Sequence, residues 1–486
     1  MDSQQKITNS REEIPDFIPF LMIIISYSIP FLYKTISFFI PFQYNNIEML
    51  ERKIYKELLK WKNNHSHTCL MIKGARQVGK TYIIREFGRR EYECFLEINF
   101  FRQKELKVIF SDDLSADTIY KRLSAQISNV KLIEKKTLIF LDEIQACGNA
   151  RTAIKFLAED GRYDIITSGS LLGLTYGEDG DSEVEEPESV PTGYEDFLTM
   201  YSLDFEEFLW ANGYKEAINV LKEYFDQKKM VPDEINRKYE ELFREFMVVG
   251  GMPEVVDDFA REHDFNRVAE IQNRILEDYN FDISKHAKGA EKVKVKRCYD
   301  AIPKQLAKEL RKFQYSSVEK GQTSKKYGDS VKWLIDSSLV NASYNVHEAY
   351  IPLMANAYEN QFKLYYNDTG LLCAVYGFET KRALLNNTLK GSAKGGIYEN
   401  IISESLIKNG YKLYYYRPDE YQELEFIIEK NGSVVPIEVK AGNAATVSLN
   451  RFIKDYDTDI AYKLIKGNIG VSENKISIPH YMIMFI

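Results

Sequence analysis

Gly74-Ala75-Arg76-Gln77-Val78-Gly79-Lys80-Thr81, reached through the apolar run TCLMIKG (68–74), is the stretch whose reading decides the fold. The run has the length and composition of a buried strand. The eight residues match the phosphate-binding loop pattern at Gly74, Gly79, Lys80 and Thr81. Glycines let backbone amides curl around a polyanion, and a helix starting near Lys80 offers its free amides to a β-phosphate. In such a loop the lysine neutralises β/γ oxygens and the threonine hydroxyl ligates Mg²⁺.

Outward from the loop, TLIFLDEIQ (137–145) is an apolar run ending in Asp142 and Glu143. At the carboxyl end of a parallel strand, Asp142 is placed to hold a Mg²⁺ shell and Glu143 to polarise an attacking water. YDIITSGSLLG (163–173) reads as another buried strand, ending in Thr167, Ser168 and Ser170. A hydroxyl there suits a γ-phosphate or water contact, or simply a polar strand exit. Strands near 68–74, 93–100, 137–142 and 163–168 alternate with helical stretches, the pattern of a parallel α/β sheet.

GARQVGKT, LDEIQ, ARTAIKFLAEDGRYDIITSGSLLG and MYSLDFEEFL together resemble a family of prokaryotic ATPases, often called AAA-14. In that family a P-loop domain precedes a domain of unknown function, DUF4143. The resemblance runs from about Met49 to the carboxyl end. It implies an AAA+ or RecA-like fold at 49–203, with ATP and Mg²⁺ as ligands. It also places the natural start near MLERKIYKELLKWK. Residues 178–188 depart from it, with seven acidic residues in eleven, and read as a solvated insertion. Arg151, Arg162 and Arg244 are the arginine-finger candidates, each with an ordinary structural arginine as the rival reading.

Residues 204–284 show helical periodicity, interrupted at VVGGMPEVV (248–256) by Gly250, Gly251 and Pro253. The resemblance makes this segment a helical lid. Between Lys285 and Lys332 fourteen Lys or Arg face five Asp or Glu, a local charge of +9. Two helices (301–313 and 326–340) and the alternating run LVNASYNV suit a winged helix over 285–350, which the resemblance also suggests. Lys304, Lys308, Arg311, Lys312, Lys325 and Lys326 are its candidate DNA-phosphate contacts, against a solvated lysine face or a protein-binding surface.

ELEFIIEK-NG-SVVPIEVK (423–440) is a hairpin around Asn431-Gly432. Glu438 and Lys440 stand two apart and share a strand face, with Glu425 opposite and Glu399 on a helix upstream. Such carboxylates, with Glu425 and Glu438 as Mg²⁺ ligands and a neighbouring lysine, suit water activation for phosphodiester attack. Residues 351–486 thereby resemble the PD-(D/E)XK nuclease superfamily. Glu425 stands where that superfamily has Asp, and its extra methylene displaces a metal ligand.

The whole chain has 486 residues, 44% hydrophobic, and a net charge of −8. Disorder and a polytopic membrane bundle are unlike this composition, and a nucleic-acid site must be local. Five scattered cysteines exclude a disulfide framework and fit a cytoplasmic protein. Residues 1–48 contain an uncharged run, Phe17–Tyr33, in an apolar stretch (17–43) broken by Pro19, Pro30 and Pro41. A membrane anchor, an interfacial segment and a misassigned start with Met49 as initiator remain the readings. Two functions stay open. One is an ATP-driven protein acting on DNA through 285–332, with a second copy of the chain as a further partner. The other is an ATP-dependent switch whose partner is a protein and whose nuclease-like domain is inactive.

Overall fold

The computed structural model describes residues 50–64, 68–169, 191–286, 291–441 and 447–486, apart from the side chains of residues 285 and 286. The readings made for residues 1–48, Ser170, the acidic stretch 178–188 and the side chains of Lys285 and Lys288 lie outside these. Among the described residues no helix is long and apolar enough to cross a membrane.

The amino-terminal part runs α1 (Ile54–Asn63), β1 (Cys69–Lys73), α2 (Lys80–Glu91), β2 (Cys94–Asn99), α3 (Ala116–Gln126), β3 (Thr137–Asp142), α4 (Gly148–Asp160), β4 (Asp164–Ser168) and β5 (Glu195–Thr199). The strands form one parallel sheet in the order β2-β3-β4-β1-β5. The sequence-read strands are all present, and β5 is an edge strand added to them. The reason for an α/β layer is visible in β3. Leu138 and Phe140 enter one core with Ile83, Ile84 and Phe87, while Ile139 and Leu141 enter another with Ile154 and Leu157. Alternation buries both faces, so the strand reads as continuously apolar.

Helices α5 (Phe205–Ala211), α6 (Ala217–Asp226), α7 (Asp233–Val249), α8 (Pro253–Glu262), α9 (Phe265–His286), α10 (Glu291–Leu306) and α11 (Ser324–Asp336) follow. Asp204 and Glu207 close a reciprocal capping box on α5. Then come β6 (Val340–Val346), β7 (Ala357–Tyr366), α12 (Thr369–Tyr376), α13 (Phe378–Leu385), α14 (Ser392–Lys408), β8 (Tyr414–Tyr416), β9 (Leu424–Lys430), β10 (Ser433–Val439), α15 (Val447–Tyr456), β11 (Ala461–Ile465), β12 (Gly470–Ser472) and β13 (Lys475–Pro479). The second sheet has the mixed order β12-β13-β11-β10-β9-β8-β6-β7.

Two boundaries differ from the sequence reading. LVNASYNV is not a separate wing: β6 pairs with β7, antiparallel, and with β8, parallel, so the carboxyl-terminal sheet begins at Val340 and not after residue 350. The helix read at 301–313 is α10, ending at Leu306, because the chain turns there and Phe313 N–H bonds the carbonyl of Phe362 on β7. The helix read at 326–340 is α11, which stops at Asp336. The 204–284 segment also lacks a core of its own. Phe205, Phe243 and Phe246 share one apolar cluster with Tyr365, Tyr366, Phe426 and Tyr481. Burial makes these helices part of the carboxyl-terminal body.

Candidate functional site

The phosphate loop connects β1 to α2, and two backbone positions require glycine. Gly79 has φ 94° as the residue before α2. Gly74 has φ 149°, and a Cβ there would lie 2.1 Å from the Met200 carbonyl. Lys80 Nζ donates to the carbonyls of Gly74 and Ala75 at 2.9 and 2.8 Å. Burial pushes the Lys80 ammonium down to about 8, against the pull of Glu143 and Asp142.

Asp142 ends β3, is 3% exposed, and collects hydroxyl and amide groups from three other elements. Thr81 Oγ1 lies 3.3 Å from its carboxylate, Asn99 Nδ2 donates at 2.8 Å, and the Ser168 hydroxyl donates to it as well. Glu143 follows in the left-handed region, φ 55°, and its carboxylate accepts from Gln145 Nε2 at 2.6 Å. Lys80, Thr81, Asp142, Glu143 and Ser168 line one cavity of about 530 Å³, a size common for small-ligand sites. The sequence-read nucleotide residues therefore meet in one place.

Residues not anticipated complete this site. Asn99 sits at the end of β2, where a polar residue closing an apolar run was a usable signal. Asp278 and Asp282, one turn apart on α9, reach the loop: Gln77 Nε2 donates to Asp278 at 2.6 Å, and Arg76 pairs with Asp282. Acidic residues on a helix are ordinarily solvated, so nothing local marked them. Arg52 is also buried, and donates to Glu207 (3.1 Å) and to the carbonyls of Val78 (3.1 Å) and Tyr201 (2.7 Å).

The three arginine candidates do not line the cavity. Arg151 pairs with Glu195 in the interior. Arg162 pairs with Asp160 and Asp117 and lies over the Tyr120 ring. Arg244 lies beside Tyr398 and His480 of the carboxyl-terminal body.

The second candidate centre lies where α14, β7, β9 and β10 converge. Lys440 Nζ is 3.5 Å from Glu425 and 3.2 Å from Glu438, and Glu425 accepts the Val439 N–H at 3.0 Å. Glu399 accepts from Arg311 (2.6 Å), Lys363 (3.2 Å) and Tyr365 (3.1 Å). Burial pushes Glu425 up to about 7, with Glu399 adding to the rise and Lys440 opposing it. The four predicted residues do converge. Among the described residues, however, no group of three or more His, Cys, Asp or Glu is arranged to hold a metal ion.

The basic segment divides. Lys304, Lys308, Lys325 and Lys332 are exposed, as a phosphate-contacting face requires. Lys326 pairs with Glu319, Lys312 is half-buried, and Arg311 turns inward onto Glu399. Arg311 is therefore corrected from surface contact to internal partner, because a buried carboxylate holds a guanidinium more strongly than solvent does.

Three family models match parts of the chain. An AAA domain model matches residues 66–209, a domain of unknown function (DUF8612) residues 240–382, and another (DUF4143) residues 394–481. No curated protein sequence matches the chain. Among solved structures, the chain is similar to a Walker-type ATPase of Pyrococcus abyssi, at 15% identity and TM-score 0.40, over 68% of this chain and 96% of that one. It is also similar to a Signal Transduction ATPase with Numerous Domains (STAND) protein with a tetratricopeptide repeat sensor from Pyrococcus horikoshii. There the identity is 11% and the TM-score 0.24, over 74% of this chain and 45% of that one. A third, at 9% identity and TM-score 0.20, is a structure of Drosophila ORC bound to AT-rich DNA and Cdc6, over 68% of this chain and 91% of that one. The AAA model covers the P-loop sheet and the DUF4143 model covers the strands bearing Glu425 and Glu438, so the chain carries an AAA-type P-loop domain at residues 66–209 and a DUF4143 domain at residues 394–481.

Proposed function

We propose that this chain hydrolyses ATP with Mg²⁺ and uses the cycle to change how its carboxyl-terminal body presents a basic surface to DNA. The observation that carries this is the junction between loop and body. The segment that would cradle the phosphates is held by Asp278 and Asp282 of α9 and by Arg52, which also grips the start of α5. Arg76, Gln77, Asp278 and Asp282 line the same cavity as Lys80 and Thr81, so a nucleotide there meets α9 of the other body as well as the loop.

In this reading the amides of residues 74–81 and Lys80 bind the phosphates. Thr81 and Asp142 would hold Mg²⁺, and the fit is good, because both offer hard oxygens and they stand 3.3 Å apart. The bound ion supplies charge neutralisation at the phosphate oxygens. Glu143, fixed by Gln145, orients the attacking water and accepts its proton. Ser168, on the strand beside β3, donates toward the transferred phosphoryl group in place of Asp142. Lys304, Lys308, Lys325 and Lys332 contact the DNA backbone without base readout.

A second reading, a switch for a protein partner, is favoured by the withdrawal of Arg311 from the basic face. The test is ATP turnover of the full chain with Mg²⁺, with and without duplex DNA, and Lys80→Ala as the blank. DNA-stimulated turnover that declines steeply with salt supports the first reading, since released counterions set that slope. Turnover indifferent to DNA favours the second. Turnover no higher than the blank removes hydrolysis from both.

A further inference from the structure

The nuclease-like arrangement of the carboxyl-terminal centre implies a divalent ion at Glu425 and Glu438, and the donors present do not fit one. Each of the four carboxylates already faces a cation of the chain. Glu399, 2% exposed, has one oxygen on Arg311 at 2.6 Å and the other on Lys363 at 3.2 Å. Glu423 takes Lys363 at 2.6 Å and has Arg417 at 3.6 Å. Glu425 and Glu438 share Lys440, and one Glu425 oxygen also accepts the Val439 N–H. Lys463 of β11 stands in register with Glu438 on the neighbouring strand and adds positive charge there.

Glu399, Glu423, Glu425 and Glu438 thus face Arg311, Lys363, Arg417 and Lys440, and the charges cancel when all are ionised. Glu438 has Lys440 Nζ 3.2 Å from one oxygen and no further hydrogen-bond partner, so that one side chain retains ligand capacity. One free carboxylate beside an ammonium is a poor Mg²⁺ site. The ion dehydrates reluctantly and needs an octahedron of hard oxygens, and a nearby cation opposes it directly.

We infer that this centre is neutralised by the chain's own cations, with Lys363 buried between Glu399 and Glu423, and that it takes up no divalent metal. Its work is to hold together α14, β7, β9, β10 and the Arg311 segment, which ties the basic region to the second sheet. Metal-dependent phosphodiester cleavage is not expected from it. This holds whether or not the ATPase reading does, because no nucleotide is involved.

The experiment is Mn²⁺ binding to the full chain, followed by electron paramagnetic resonance without nucleotide. Lys80→Ala is the common background, and Glu438→Gln, Glu425→Gln and Lys363→Gln are added singly. The expected result is that Glu438→Gln and Glu425→Gln leave the number of bound ions unchanged, and that Mg²⁺ does not raise the melting temperature of the background protein through this centre. If Lys363→Gln folds, Glu399 still holds Arg311 and Glu423 still faces Arg417, so no new Mn²⁺ site is expected. Loss of one bound ion per chain in Glu438→Gln or Glu425→Gln would overturn the inference. So would a folded Lys363→Gln protein that gains an ion, because Arg311 and Arg417 still face these carboxylates there. If Lys363→Gln fails to fold, the Glu438→Gln and Glu425→Gln comparisons decide alone.

Discussion

Replacing Arg52 with Met keeps the aliphatic stem and deletes three donations at once. The Arg52 side chain is 7% exposed and its Glu207 partner 6%. Removing one member of a buried ion pair costs about 3–5 kcal/mol. The lower end applies, because Glu207 still accepts from the Lys53 and Asp204 N–H groups at 2.6 and 3.0 Å. The carbonyls of Val78 and Tyr201 each lose a donor, at roughly 1 kcal/mol apiece. The sum is about 5 kcal/mol, which lowers the melting temperature by on the order of 10 °C at this size. Because Val78 lies inside the phosphate loop, its release should also disorder the amides that meet the phosphates. The expected signature is a KM for ATP raised about tenfold, which is 1.4 kcal/mol, with a smaller change in kcat. Differential scanning calorimetry and steady-state turnover measure the two effects on the same protein. Arg52→Lys, which retains the charge but cannot reach all three acceptors, should fall between. An Arg52→Met protein melting within about 2 °C of the parent, with unchanged KM, would refute the idea that this guanidinium ties the loop to α5.

Three further outcomes follow from the same structure. Gly251→Ala places a Cβ 2.0 Å from the Leu203 carbonyl, a backbone atom, so α5 and α8 must move apart; a melting temperature within a degree of the parent would count against this packing. Burial raises Glu404 to about 7 despite Lys408. Its ordinary value being lower, the folded state holds a proton that the unfolded chain has released, so stability falls as pH rises from about 4.5 to 7, by up to about 1.4 kcal/mol per unit. Urea midpoints across that range should flatten in Glu404→Gln, and an unchanged slope would exclude the assignment. Arg151→Ala breaks the interior pair with Glu195 and should cost about 3–5 kcal/mol, while the folded fraction, counted by calorimetry, keeps the parent kcat. A selective loss of kcat at full folding would restore Arg151 as an arginine finger.

The nucleotide site was legible because its chemistry is local. GARQVGKT fixes a glycine turn and a helix start within eight residues, and the apolar run before Asp142 can only be buried. The polar ends of neighbouring parallel strands then fall side by side, which brings Ser168 to Asp142, and Thr81 reaches it from the first turn of α2. The hairpin at Asn431-Gly432 was legible for a similar reason, since a two-residue turn sets the register of its strands.

What no window of sequence contains is the pairing of distant groups. Asp282 lies 206 residues from Arg76, Glu207 lies 155 from Arg52, and Glu399 lies 88 from Arg311. Each of these residues alone is an ordinary surface charge, and burial gives it a definite partner. The same holds for the edge of the second sheet, where residues 340–346 read as a wing until β8 supplied the neighbouring strand. Sequence by itself determined the phosphate loop, the parallel sheet and the acidic strand end, because short-range backbone geometry and periodicity specify them. Only the tertiary structure decided that α9 and Arg52 grip the loop, and that Lys363 sits among the nuclease-like carboxylates. Those contacts depend on how separate elements exclude water from a shared interior.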